Sequence, residues 1–173
     1  GYRRSRGSSA PLAANPTRID VLHHAAHRAA LAPSVHNTQP WHFVVAGDSL
    51  EIRSDMLRRL KILDPRARQL TMSCGCALFN ARVAIAAAGF EPIVTRFPEA
   101  ESPDLLARVS VGAPAPWVPI AALDSAITDR RTNRRAFAPD PVPASVVHDL
   151  VTAASSENGY LISSRPVARA PAE

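Results

Sequence analysis

The chain has 173 residues, of which 46% are hydrophobic, 20% charged and only 5% aromatic, so alanine carries much of the apolar core. That length suits one full domain, or one plus part of another. A net charge of +5 and a pI of about 10.2 admit nucleic acid as a partner, but the arginine clusters at 3–6, 58–59, 66–68 and 130–135 lack interleaved aromatics and any DNA-binding motif, and a basic surface with one phosphate site accounts for them.

No stretch of about 18 consecutive apolar residues is present, so nothing is expected to span a membrane. The basic start, Gly1 to Gly7, has no apolar segment behind it and does not read as a secretory signal. Cys74 and Cys76 lie two apart in a helical pattern, where side chains do not face each other. We read them as buried small residues rather than a disulfide or metal pair, and the compartment as cytoplasmic.

Residues 1–16 read as a tail rich in Gly, Ser, Arg and Pro. Thr17 is a suitable N-cap, and Ile19, Leu22, Ala26, Ala29 and Ala30 recur at helical spacing over Arg18 to Leu31. His23 and His27 share a helix face, but no third ligand is placed to make a metal site. Pro33 stops that helix. It opens the polar loop Ala32-Pro33-Ser34-Val35-His36-Asn37-Thr38-Gln39-Pro40-Trp41. Taken alone, such a loop is equally an ordinary helix-to-strand connection.

Trp41 to Ala46 and Leu50 to Ser54 read as a hairpin around Gly47-Asp48-Ser49. Asp64-Pro65 is a stop. The longest periodic stretch then runs from Ala67 to Ala88 and ends on Gly89, a good C-terminal cap. Its stripe is Leu70, Cys74, Ala77, Leu78, Ala81, Ala84, Ile85 and Ala88, and its length about 33 Å. Pro92 to Phe97 and Leu106 to Val111 read as two more strands. Gly112 to Pro119 holds three prolines in six positions, cannot be helix interior, and is taken as the domain boundary. Ile120 to Asp129 resumes a helical pattern.

Arg130-Arg131-Thr132-Asn133-Arg134-Arg135-Ala136-Phe137 follows, then Pro141-Val142-Pro143. Guanidinium groups bind phosphate oxygens in pairs and a threonine hydroxyl adds a donor. A solvated basic segment is the plainer reading. Ala144 to Ala154 reads as a helix, and Tyr160 to Ser163 as the start of a strand.

Two of these stretches carry a resemblance. Pro33, Ser34, Asn37, Gln39, Pro40 and Trp41 match, at the same spacing, the Ala-Pro-Ser-x-x-Asn-x-Gln-Pro-Trp signature of the nitroreductase-like flavoproteins. His36 and Thr38 make the loop similar to the Acg-type subgroup. The arginine segment resembles the family's Arg-x-Ser/Thr-x-Arg opening, with Phe137 one residue later than in its commonest form. The resemblance implies an α+β fold with a central, mostly antiparallel sheet flanked by helices. It also implies FMN as cofactor, held by Pro33, Ser34, Asn37, Gln39, Arg130, Thr132 and Arg134.

The loop precedes the arginine motif, as in the Acg type, where two nitroreductase-like halves share one chain. Residues 17–120 are then expected to form the first half. Residues 121–173 would open a second, truncated half, completed by a homodimer partner or by further sequence. The function so implied is FMN-dependent NAD(P)H oxidation with a small-molecule electron acceptor, quinone-like or nitroaromatic. A non-catalytic FMN-holding protein is the alternative, and a basic interaction module the third reading. No Gly-x-Gly-x-x-Gly, Walker lysine motif or hydrolase triad is present.

Overall fold

Thr17 closes a capping box. Its hydroxyl accepts from the Asp20 amide at 3.2 Å, and the Asp20 carboxylate accepts from the Thr17 amide at 2.9 Å. Two N–H groups that a helix start leaves open are thereby satisfied. Helix α1 runs Arg18–Ala29 and buries Val21, Leu22, Ala25 and Ala29. It stops short of the expected Leu31. Leu31 and Ala32 instead bond back to Arg28 and Ala29 at 3.1 and 3.0 Å, tightening the last turn ahead of Pro33. The computed structural model describes residues 12–13, 15–136 and 140–162.

The hairpin forms as β1 (Trp41–Ala46) and β2 (Ser49–Ser54), turning at Gly47, whose φ is +59°. Helix α2 spans Arg68–Ala87. Its start is fixed by Asp64, 4% exposed, whose carboxylate accepts from the Leu70 amide at 2.8 Å. Its end is Gly89, at a φ of +85° that only glycine adopts without strain. Of the expected stripe, all but the half-buried Ala88 are buried. This helix is long and apolar enough to cross a membrane, but 61% of its apolar window is buried in the fold. It is the core helix.

Strands β3 (Phe90–Arg96) and β4 (Leu105–Pro114) complete one antiparallel sheet, ordered β1-β2-β4-β3. Pro92 is tolerated because β3 is an edge strand with a register shift there. Gly112 is required by that shift, since a Cβ would lie 2.8 Å from the Glu91 carbonyl oxygen. The fold is α+β. Leu50, Ile52, Ala107 and Val109 on the sheet's inner face join α1 and α2 in one core.

Three expectations are corrected. Gly112, Ala113 and Pro114 are not linker but the end of β4, because pairing with β3 continues to Phe90–Pro114. Cys76 is exposed rather than buried, unlike Cys74, because a two-residue step moves it off the stripe. Tyr160 to Ile162 form no strand, and Ser163 lies outside the described residues, as does Phe137. The chain divides into two compact units, Gly1–Thr132 and Asn133–Glu173. The first also holds a short turn of helix at Pro119–Leu123 and helix α3, Asp124–Asp129. The second holds helix α4, Ala144–Ser156, which Pro143 precedes.

The sheet's outer face carries a ladder of ion pairs. Arg53 bridges Glu51 and Asp104, both at 2.8 Å, and Arg108 bridges Glu51 at 2.7 Å and Glu99 at 2.8 Å. Glu51 is 7% exposed. Hydrogen bonding from Arg108, and then from Arg53, holds its carboxyl below the ordinary value of 4.5. A carboxyl depressed in the folded state contributes stability above its unfolded value and loses it as pH falls through the folded one. The thermal midpoint should therefore drop as pH falls below 4.5, and Glu51→Gln should flatten that drop. Thr17→Ala should cost about 1 kcal/mol in denaturant unfolding, through loss of the cap.

Candidate functional site

The loop after α1 is polar and backbone-strained, and it is held from all sides. Ser34 is extended, and a single 3-10 turn covers Val35–Asn37. His36, Asn37 and Gln39 have φ of +46°, +57° and +49°. Asn and His enter that region more readily than most residues, and Gln less so. The turn is closed by Asn37 and Thr38 amides donating to the carbonyls of Ser34 and Val35, both at 3.0 Å.

The Ser34 hydroxyl accepts from the Gln39 amide at 2.9 Å. A serine Oγ reaches the backbone five residues on because the strained turn folds it back. Outside the loop, Ser73 of α2 accepts from the Val35 amide at 3.2 Å. Arg58 donates to the Thr38 carbonyl at 3.2 Å and pairs with Asp55 at 3.0 Å. The Pro40 carbonyl accepts from the Asp55 amide at 2.9 Å and from the Cys74 thiol at 3.3 Å. Trp41, 8% exposed, seats the end of the loop in the core.

Arg58, Asp55 and Ser73 are the supports that sequence reasoning missed. Arg58 reads as one more surface arginine, and Ser73 as one more small residue on α2. The signal that could have found Ser73 is its position one residue before Cys74 on the buried stripe.

Beyond the loop, Pro33 lines a groove of about 570 Å³. Cys76, Phe79 and Asn80 of α2 form its floor, and Ile127 and Arg130 of the α3 segment its far wall. A shallower extension of about 220 Å³ runs along α2 past Ser34 and Ser73. Arg130 donates to the Thr132 hydroxyl at 3.1 Å. Arg131 folds back onto the Thr128 carbonyl at 2.5 Å, neutralising the open end of α3.

So Pro33 and Arg130 share one groove, Ser34 borders its extension, and Thr132 touches Arg130. Asn37 and Gln39 are exposed on the loop, which is rigidly tied to that groove wall. Arg134 is exposed and belongs to the second compact unit. Burial pushes the Cys74 thiol up to about 12. Cys76 is also raised by desolvation within the groove, against the pull of the Arg130 charge. Burial thus disfavours the reactive thiolate form at both cysteines. Among the described residues, no group of three or more His, Cys, Asp or Glu is placed to hold a metal ion.

The chemistry of the groove is thus an apolar slot with neutral polar groups at one border and an arginine with a hydroxyl at the other. Its volume falls in the range of small-molecule sites. This donor set fits a flat cofactor that ends in a phosphate, with the slot for the ring and the cation for the anion.

The chain is 40% identical over 134 residues to "Putative NAD(P)H nitroreductase Rv3131" of Mycobacterium tuberculosis, covering 78% of this chain and 39% of that protein. It is 37% identical over 124 residues to "Putative NAD(P)H nitroreductase acg" of the same organism, covering 70% of this chain and 37% of that protein. This chain therefore spans well under half the length of these relatives. A nitroreductase family protein from Streptococcus pneumoniae aligns in structure with a TM-score of 0.44 at 14% identity, covering 79% of this chain and 91% of that one. The Nitroreductase family model matches residues 4–113, more than half of the sequence, and with the identities to the mycobacterial proteins this makes the chain a member of the nitroreductase family.

Proposed function

We propose that this chain contributes an FMN site to an NAD(P)H-dependent oxidoreductase acting on quinone-like or nitroaromatic acceptors. The observation that carries the reading is that Pro33 of the loop and Arg130 of the arginine motif, far apart in sequence, line the same groove. FMN, when bound, supplies the electron and hydride transfer between nicotinamide and acceptor. The protein's part is to bind, orient and keep water out. Pro33, Phe79 and Ile127 provide the apolar walls. Ser34, Asn37 and Gln39 offer neutral donors and acceptors beside them. Arg130 and Thr132 take the phosphate.

In this reading residues 17–120 are the first nitroreductase-like half and residues 121–173 open the second. The order of the two motifs supports that assignment. The surface that completes the site then comes from a second copy of the chain or from further sequence.

The test is an absorbance spectrum after adding FMN and removing what is unbound. A flavin spectrum that persists supports the reading, and a colourless protein overturns it. Bleaching by NADPH without oxygen distinguishes an oxidoreductase from a protein that only holds FMN. Asn37→Ala should weaken FMN binding by about 1–3 kcal/mol if its partner on the cofactor is left buried and unpaired. Unchanged affinity in a fluorescence titration would remove Asn37 from the site. Arg130→Ala should weaken binding and reduce its sensitivity to salt.

A further inference from the structure

The wall that carries Arg130 is a helix of six residues, Asp124–Asp129. A helix that short does not hold itself together in water. Its only buried side chain is Ile127. What fastens it is Arg28 of α1, itself 6% exposed. The Arg28 Nε donates to the Asp124 carboxylate at 3.0 Å, a terminal nitrogen pairs with the same oxygen at 2.9 Å, and that nitrogen also donates to the Asp124 backbone carbonyl. From the other side, the buried Asn80 amide of α2 donates to the Arg28 carbonyl at 3.1 Å. One guanidinium therefore grips both the side chain and the backbone of the first residue of α3, and its own position is set by α2.

We infer that Arg28 and Asp124 are positioning residues for the phosphate end of the groove: their clasp docks α3 and so holds Arg130 opposite Pro33. This rests on the FMN reading for its ligand but not for its geometry. Breaking the clasp leaves a buried cation without its counter-charge. The response of a six-residue helix is to swing away from α2, which opens the groove and frees Arg130. A lysine cannot replace Arg28, because one ammonium group does not present the fork that reaches carboxylate and carbonyl together.

Hydrogen exchange reports on this without any flavin. The Arg130 amide donates to the Ala126 carbonyl at 2.9 Å and so closes the end of α3. In the full chain, Asp124→Asn and Arg28→Lys should each speed exchange of that amide several-fold, with the core amides of α2 still protected, while Asp124→Glu should restore slow exchange. Unchanged exchange at Arg130 in Asp124→Asn overturns the clasp. So does equal acceleration in α2, since the pair would then hold up the whole core rather than one helix.

The second readout compares FMN with riboflavin, which has the same ring and no phosphate. Asp124→Asn should weaken FMN about tenfold, the worth of a charge-assisted contact, and leave riboflavin affinity unchanged. Equal losses for both ligands overturn the assignment to the phosphate end. If the unaltered protein binds neither ligand, the FMN reading fails, and hydrogen exchange alone decides the clasp.

Discussion

The buried length of α2 is the constraint on which the remainder depends. One stripe of this helix packs into the core with α1 and the sheet. The polar residues that interrupt its apolar surface are each spent on a neighbour. Ser73 receives the loop at Val35, Cys74 donates to Pro40, and Asn80 donates to Arg28. Burying a polar group without a partner costs free energy comparable to a lost hydrogen bond. These three contacts therefore fix where the loop and α1 lie relative to α2. The next residues around the helix, Cys76 and Phe79, are left as the floor of the groove.

The two ends of this unit use charge in different ways. On the outer face of the sheet, Glu51, Arg53, Asp104, Arg108 and Glu99 neutralise one another in a chain of contacts. That arrangement is self-contained and offers nothing to a ligand. Around the groove the cations are divided. Arg28 and Arg131 are engaged in holding α3, and Arg58 in holding the loop. Among the described residues, the Arg130 guanidinium meets the neutral Thr132 hydroxyl. An arginine facing an apolar slot with a hydroxyl for company is suited to an anion. Its neighbours serve as structural clamps.

The loop stores strain in the same economy. Three non-glycine residues at positive φ within four positions are tolerated because the Ser34 hydroxyl, Ser73, Arg58 and the Pro40 contacts over-determine the backbone. These contacts hold the loop in one shape. It presents Asn37 and Gln39 in a set geometry, which is the usual condition for a preorganised site.

Much of this was legible in the residues themselves. Thr17 with Asp20 announces the start of α1, the period of Leu70 to Ile85 announces α2, alternation announces the hairpin, and two prolines bracket the loop. These are local signals, set by caps, periodicity and fixed φ. The loop and the arginine motif could each be singled out by residue type and spacing. What sequence could not supply was their meeting in one groove, because that depends on how α3 packs against α2. Nor could it tell Arg28 and Arg58 from other surface arginines, since their partners, Asp124 and the Thr38 carbonyl, are remote in the chain. It misplaced Cys76, which a two-residue step rotates out of the core, and it ended β4 early, because the pairing of Pro114 with Phe90 is a long-range contact. Local chemistry thus determined the elements by itself. Which side chains became clamps, and which one was left to face the slot, was decided only by tertiary packing, where each buried charge had to find its partner.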